Sequence, residues 1–564
     1  MAKGYRPVER DQPFLFPPDM REWLPGDHAV WLVIRAVERM DTSAFHARRR
    51  TGGAGAAGYD PDMLVTLLVW AYAQGVASSR RMESLCATDV AFRVVCGGNL
   101  PDHVTIARFR RDFAEAVPRF FAEVLILCAR LGMGKLGTVT LDGSKVRANA
   151  SKAANRTEKR LAAMAAERAA AHAETDAAED ALFGDARGDE VPARVADPFT
   201  RDERIDAALA SARAERERRD REQAKRDQEQ AAKAQEYLAA ARAGAPKAGQ
   251  PPAGTAVELA ERRVAREKAA QQAKCEEWER AAAGPARPGG RPVPPERYCR
   301  VREAEAKLAA ARDREAAAAA KAAERAAEDA VIVRNITDPG SRLMMTRDGA
   351  QQCYNPQQVV SEDLLVIATE LTDDPTDMAW FEPMMTQAGQ AAALIRAHQP
   401  PPPADGPAAA AEQQQQDSGI GLAVADAGYL SRHNLTCPGP DRLIATGKRR
   451  DLEKTARHAA GQHDSDGDDD DDVIAAMAAR LATEDGITAY RQRGHIAETP
   501  HGDIKHNMRF AQLSLRGKPK AAGEWKFACT VHNLRIAISS GHLTHGALDE
   551  LDTQDRAAQP AQPG

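Results

Sequence analysis

The sequence predicts a mixed protein of the α+β / α/β class, with an all-helical front, a sheet behind it, and a long helical insertion between the strands. Three observations predict this. Residues 1–132 hold successive segments of helical periodicity with helix-start residues before them. Short β-rich runs lie at 136–148, 351–372 and 421–429, bounded by Gly, Asp and Ser. Residues 153–329 are dominated by Ala, Glu, Arg, Lys and Gln, which favour helix but supply an apolar stripe made mostly of alanine.

Asp27 precedes Trp31, Ile34 and Val37 at helical spacing and is the expected cap of the first helix. Asp60 followed by Pro61 reads as an N-cap with proline in the first turn, opening Met63 to Gln74. Ser78-Ser79 starts a third helix that runs through Val95 to the Gly97-Gly98 stop. Pro101-Asp102 starts a fourth, whose polar face carries Arg108 and Arg111, and Val117 to Leu131 is a core helix. Two helices joined by a short glycine turn, the second rich in arginine, fit a helix-turn-helix laid on DNA. They fit a helical bundle with a solvated basic face equally well.

Leu136 to Ala148 reads as a strand ending in Asp142-Gly143. A carboxylate at a strand end, backed by a glycine that leaves room for a ligand, is a metal position. The insertion follows as a helical hairpin or loose coiled coil, broken at Gly244–Gly254 and Ala283–Pro295. Val331 to Val333 is a short apolar run, and N-I-T-D-P-G-S-R turns the chain. Gln351–Val360 and Leu364–Thr372 form a hairpin around Ser361-Glu362-Asp363, and Asp377–Ala397 is a helix. Gln399–Gln416 is a Pro/Ala/Gln-rich loop. The continuous apolar run from Gly421 marks a strand buried on both faces, ending at Asp426 with Gly428 close behind.

Residues 434–483 read as a polar insertion whose run Asp468–Asp472 is a solvated loop; a calcium cluster is the lesser alternative, lacking the EF-hand glutamate. In Y-R-Q-R-G-H-I-A-E-T-P-H-G-D-I-K (Tyr490–Lys505), Glu498 and Lys505 stand about two helical turns apart and would share one helix face. Thr499-Pro500, however, has the form of a helix start, which would put Glu498 just before the helix. Trp525–Ile536 is an apolar helix that closes the domain, and 543–564 is a polar, disordered tail.

The net charge of −5 does not announce a nucleic-acid binder, yet basic segments such as Arg108–Arg111 and Lys448–Arg450 carry local charge. None of the eight cysteines forms a C-x2-C pair, which points to reduced thiols in a cytoplasmic protein and away from disulfides or a zinc site. The strongest apolar run, Met63–Ala73, falls short of the roughly 20 residues a membrane span needs. A soluble protein is expected.

Asp142 and Asp426 at strand ends, with Glu498 on or beside a helix, are three carboxylates that can hold two Mg²⁺ ions about 4 Å apart for in-line phosphoryl chemistry. L-D-G-S-K-V-R-A-N-A-S, T-D-P-x-S-R-L-M, G-A-Q-Q-C-Y-N-P-Q, V-A-D-A-G-Y and Y-R-x-R…E-x6-K with H-N-L together resemble the bacterial insertion-sequence transposases of the DDE type. Y-D-P-D-M-L…A-Y-A-Q-G-V-A-S-S-R-R and P-D-H-V-T-I-A-R-F-R resemble their N-terminal domain. The resemblance covers about 10–150, 330–435 and 485–540. It implies an RNase H-like catalytic domain assembled from 133–152, 330–433 and 484–542, behind a DNA-binding domain at 1–132.

It further implies that Asp142, Asp426 and Glu498 are the metal-binding triad for two Mg²⁺ or Mn²⁺ ions. Tyr490, Arg493 and Lys505 would grip the transposon end. The implied partners are the terminal inverted repeats, target DNA and further copies of the chain as a homodimer or higher oligomer, in a bacterial, nucleoid-associated setting. Two other readings remain open: an inactive or repurposed DNA-binding relative, and a coiled-coil scaffold built on 153–329.

Overall fold

A computed structural model describes residues 19–47, 58–168, 170, 201–243, 251–284, 289–329, 331–400, 419–447 and 469–558. The expected loop at 399–416 lies almost wholly outside the described residues. Of the acidic run 468–472, expected as a loop, Asp469–Asp472 instead open a helix, Asp469–Leu481. Two units emerge: 1–154 with 337–464 and 468–564, and 155–336 with 465–467.

The first unit is built on a mixed seven-stranded sheet. Its strands are β1 (Thr138–Gly143), β2 (Val146–Arg147), β3 (Arg342–Thr346), β4 (Gly349–Ser361), β5 (Val366–Thr372), β6 (Leu422–Ala425) and β7 (Asp441–Ile444). The long β4 pairs antiparallel with β5 and with β1, while its first half bends away to pair with β2 and β3. β1 continues in parallel to β6, and β6 to β7. The parallel strands read L-A-V-A and T-V-T-L because both faces are covered. The expected hairpin is present. β3 and β7 are strands where the sequence reading placed a turn and a polar insertion; each has only four or five residues and lies at the sheet's margin.

The helical front matches its capping signals closely. Asp60 caps Pro61–Ala73, Ser78 caps Ser79–Thr88, and Asp102 caps His103–Asp112 through two backbone amides. Two details differ. His28, not Asp27, caps Ala29–Glu38, because its Nδ1 accepts from the Val30 amide. The third helix is split at Asp89, whose extended backbone and side-chain bond to Phe92 N start a new helix, Val90–Val95.

These helices share one continuous apolar core with the sheet and with Lys518–Ser539. Phe527 of that helix lies 5.3 Å from the rings of Tyr72 and Phe113 and stacks on Phe120 at 6.0 Å. The expected C-terminal tail is a helix, His545–Ala558. Leu548 and Leu551 bury one face, and Asp549, Asp552 and Asp555 face Arg35, Arg39 and Arg130 of the helical front.

The second unit is helical, as its composition requires. Ala256–Ala282 and Cys299–Asp329 pack against each other as a hairpin, tied by Arg312–Glu261 and Lys268–Glu305 at 2.7 Å each. The helix Arg201–Arg242 packs on a ribbon of Asn155–Thr157 and Val333–Asn335, where Arg334 donates to Ser211 Oγ at 3.1 Å, and its Ala208 and Leu209 are buried with Leu161. Alanine contacts bury little area each, so length substitutes for side-chain size. Among the described residues, no helix is long and apolar enough to cross a membrane.

Candidate active site

The carboxyl ends of β1 and β6 carry the two strand-end aspartates. Leu141 is paired with Ala425 in the parallel register, so Asp142 and Asp426 are the next pair along, on strands about 4.8 Å apart. Arg493, on the helix Glu484–Gly502, reaches both. Its Nη2 lies 3.0 Å from Asp142 Oδ1 and 3.5 Å from Asp426 Oδ2. Burial raises the Asp142 carboxyl to about 6; Arg493 pulls it down, and the charges of Asp426 and Asp377 add to the rise.

That third carboxylate, Asp377, escaped the sequence reading. It precedes the short helical turn Met378–Trp380 in the N-cap position, but its side chain makes no capping bond. Its Oδ1 instead accepts from Asn355 Nδ2 and Gln357 Nε2, each at 2.8 Å, on β4. Gln357 also receives the Tyr429 hydroxyl. Tyr429 is wholly buried; burial, then the charges of Asp377, Asp142 and Asp426, push its phenol well above the usual range. The missed signal is the polar row N-P-Q-Q (Asn355–Gln358) in a strand buried from Gln352 to Ser361, since buried amides need partners.

Glu498 is placed differently from the two aspartates. The helix starts at Glu484, capped by Thr483, and runs through Pro500 without a break, so Thr499-Pro500 is not a helix start. A missing amide at Pro500 and the following π-turn, Asp503–Asn507, disturb the same stretch of ladder. Ile496, Ala497, Pro500 and His501 form the buried stripe, and Glu498 lies off it, exposed, with no hydrogen bond or ion pair among the described residues.

Asp142, Asp426 and Glu498 therefore do not form a closed cluster here. Among the described residues, the one group of three ligand atoms within 4.8 Å of each other is His46, Asp60 and Asp62. Those three have local work: Asp60 caps its helix, and His46 pairs with Asp62 at 2.8 Å.

The π-turn carries Lys505 to the loop after β1, where its Nζ donates to Ser144 Oγ and, at 2.9 Å, to the Lys145 carbonyl. Burial lowers Lys505 to about 8, against the pull of Cys353 and Asp142. Tyr490 packs on Val424, Leu443, Met477 and Leu481. On the helical front, Arg108 is exposed and Arg111 pairs with Asp112 at 2.8 Å. The buried arginine of that helix is Arg110, which holds Glu524 at 2.7 Å.

Asp503 anchors the π-turn to Lys518–Ser539, accepting from His532 Nδ1 at 2.8 Å and pairing with Arg535 at 3.2 Å. Burial alone would raise its carboxyl, but the bonds from His532 and Asn507 outweigh it and hold the group well below the usual range. A carboxyl depressed in this way supports the fold above its unfolded pKa of about 4 and loses that support as pH falls through the folded value. Asp503→Asn is expected to cost about 1–3 kcal/mol at neutral pH and to flatten the acid limb of stability. Urea unfolding at neutral and acid pH measures both, and an acid limb identical to wild type would count against the anchor.

The donor set at the sheet ends suits a divalent cation. All donors are carboxylate oxygens, the kind preferred by Mg²⁺ and Mn²⁺. A guanidinium already stands between Asp142 and Asp426, marking the place where positive charge is required.

Two family models match parts of the chain. A family model described as Transposase domain (DUF772) matches residues 18–112, and one described as Transposase DDE domain matches 462–537. No curated protein and no solved structure matches the chain. The first match falls on the helical front, and the second spans Arg493, Glu498 and Lys505. These two matches support a DDE-type insertion-sequence transposase.

Proposed function

We propose that this transposase binds the terminal inverted repeats of its element, hydrolyses a phosphodiester at each end and joins the freed 3′-hydroxyl to target DNA. The observation that carries the proposal is the pairing of Asp142 and Asp426 at the ends of adjacent parallel strands, bridged by Arg493. The strand path β5–β4–β1–β6–β7, antiparallel then parallel, supports an RNase H-like domain. Asp142, Asp426 and Glu498 would hold two divalent cations, Mg²⁺ or Mn²⁺, with Glu498 turning in from its exposed position. When bound, the ions lower the pKa of the attacking water or hydroxyl and stabilise the leaving oxygen.

The Arg493 fork, which pairs with Asp142 and Asp426, would take a phosphate of the transposon end. Tyr490 flanks that arginine along the helix, and Lys505 holds the loop after β1 on the same side. Arg108 and Arg111 are the proposed DNA contacts of the helical front, in a homodimer or higher oligomer on DNA. The test is cleavage of end-bearing DNA, present with Mg²⁺ and abolished by EDTA. Binding without cleavage in any divalent metal would defeat the proposal and leave a DNA-binding relative.

Lys505 gives a pH signature. Below about 8 it is charged and above it neutral, so affinity for end DNA is expected to fall as pH rises past that value. Lys505→Arg keeps its charge and should remove the pH dependence, while Lys505→Ala should reduce the log–log salt slope by about 0.9. Fluorescence anisotropy across pH and salt reads both.

A further inference from the structure

The geometry points to Asp377 as a carboxylate ligand of the catalytic cation, a role that rests on the metal site proposed above and adds to it a residue outside the triad. Four observations converge on this side chain. An aspartate before a helical turn ordinarily caps it, and this one does not. Its carboxylate is carried back to the sheet, where Asn355 and Gln357 both donate to Oδ1. Oδ2 receives no donor among the described residues, and Asp377 has no cationic partner there.

The free oxygen lies beside Gly428, as does Asp426 Oδ1. A Cβ built on Gly428 would lie 3.3 Å from Asp377 Oδ2 and 3.0 Å from Asp426 Oδ1, so both carboxylates border the same small space. A Cβ on Gly143 would collide with Asp377 Oδ1 and come within 2.6 Å of Gln357 Nε2. The two glycines that follow the strand-end aspartates, in D-G-S-K and D-A-G-Y, thus clear space for one and the same carboxylate. Neither glycine needs a left-handed backbone, so conformational freedom does not explain them.

Charge makes the same demand. Arg493 pairs with Asp142 and Asp426, and the charge of Asp377 beside them is left without a cation among the described residues. A divalent cation balances what is left, and holding a carboxylate by two amides on one oxygen fixes the other for coordination. Asp377 would therefore bind Mg²⁺ or Mn²⁺ through Oδ2, beside Asp426.

The test is titration of Mn²⁺ into the full-length protein, without DNA, followed by electron paramagnetic resonance and calorimetry. Asp377→Asn keeps the shape and its acceptor for Asn355 and Gln357, and is expected to weaken Mn²⁺ by at least about 10-fold. Asp377→Glu should retain most of the binding, and Asp142→Asn should weaken it at least as much as Asp377→Asn. Wild-type Mn²⁺ affinity in Asp377→Asn, with Asp142→Asn impaired, overturns the assignment and leaves the parent site standing. Wild-type affinity in both overturns the metal site as well. Should Asp377→Asn not fold, Asp377→Ser is read by the same titration, with the same outcomes.

Discussion

Glu524→Ala is expected to destabilise the first unit by about 3–5 kcal/mol, the cost of stranding a buried cation. Glu524 is fully buried on Lys518–Ser539, and it accepts from the amides of Ser514 and Leu515 at 2.9 Å and from Arg110 at 2.7 Å. Arg110 also donates through Nη1 and Nη2 to the Ala77 carbonyl, Ser79 Oγ and Ser514 Oγ, and lies over the Tyr72 ring at 5.5 Å. Removing the carboxylate leaves the guanidinium without its counter-charge and two backbone amides without an acceptor. Replacing both partners by apolar residues of similar volume (Arg110→Met with Glu524→Leu) should cost less than Glu524→Ala alone. The urea midpoint of the unit reads both. A single-variant loss below about 1 kcal/mol would mean that water reaches the pair.

Asp142→Asn and Asp426→Asn are each expected to reduce cleavage of end-bearing DNA by on the order of 10²–10³-fold or more. The amide cannot carry the negative charge that holds a cation at the strand ends. DNA binding should move the other way. Each substitution removes a carboxylate that repels phosphate and leaves Arg493 less neutralised, so end affinity should stay level or rise. A fall in cleavage with unchanged or tighter binding separates this account from simple unfolding. Parallel losses of binding and cleavage would point to a structural role for the aspartates.

The parts of the fold that the sequence disclosed are those where one residue type has one local use. Asp60, Ser78 and Asp102 cap helices because an oxygen before an apolar period has little else to do. The buried strand before Asp426 was visible because an apolar run of that length between glycines must be covered on both sides. What stayed hidden depended on long-range partners. Asp377 looks like an N-cap in sequence, and only Asn355 and Gln357 show otherwise. Arg110 stood unremarked between Arg108 and Arg111, although Ile106, Arg110 and Phe113 share a helical face and all are buried.

The C-terminal helix was concealed in the same way. Leu548 and Leu551 are too few to announce an apolar stripe, and the aspartate row Asp549, Asp552, Asp555 makes sense only opposite Arg35, Arg39 and Arg130. Pro500 misled because proline is so often an early-helix residue, whereas here it sits inside a helix that passes into a π-turn. The sequence leaves Glu498 on or just before a helix; it lies within one, and its angle about the axis depends on which side Ile496 and Ala497 bury, which is decided by the sheet beneath.

Mapping the bound cation tests the whole account most directly. Fe²⁺ loaded in place of Mg²⁺, with ascorbate and peroxide, cuts the polypeptide beside the metal. The account predicts cuts next to Asp142, Asp377 and Asp426, suppressed by excess Mg²⁺ and absent in Asp142→Asn. Cutting confined to the His46, Asp60 and Asp62 group, or unaffected by Asp142→Asn, would contradict it.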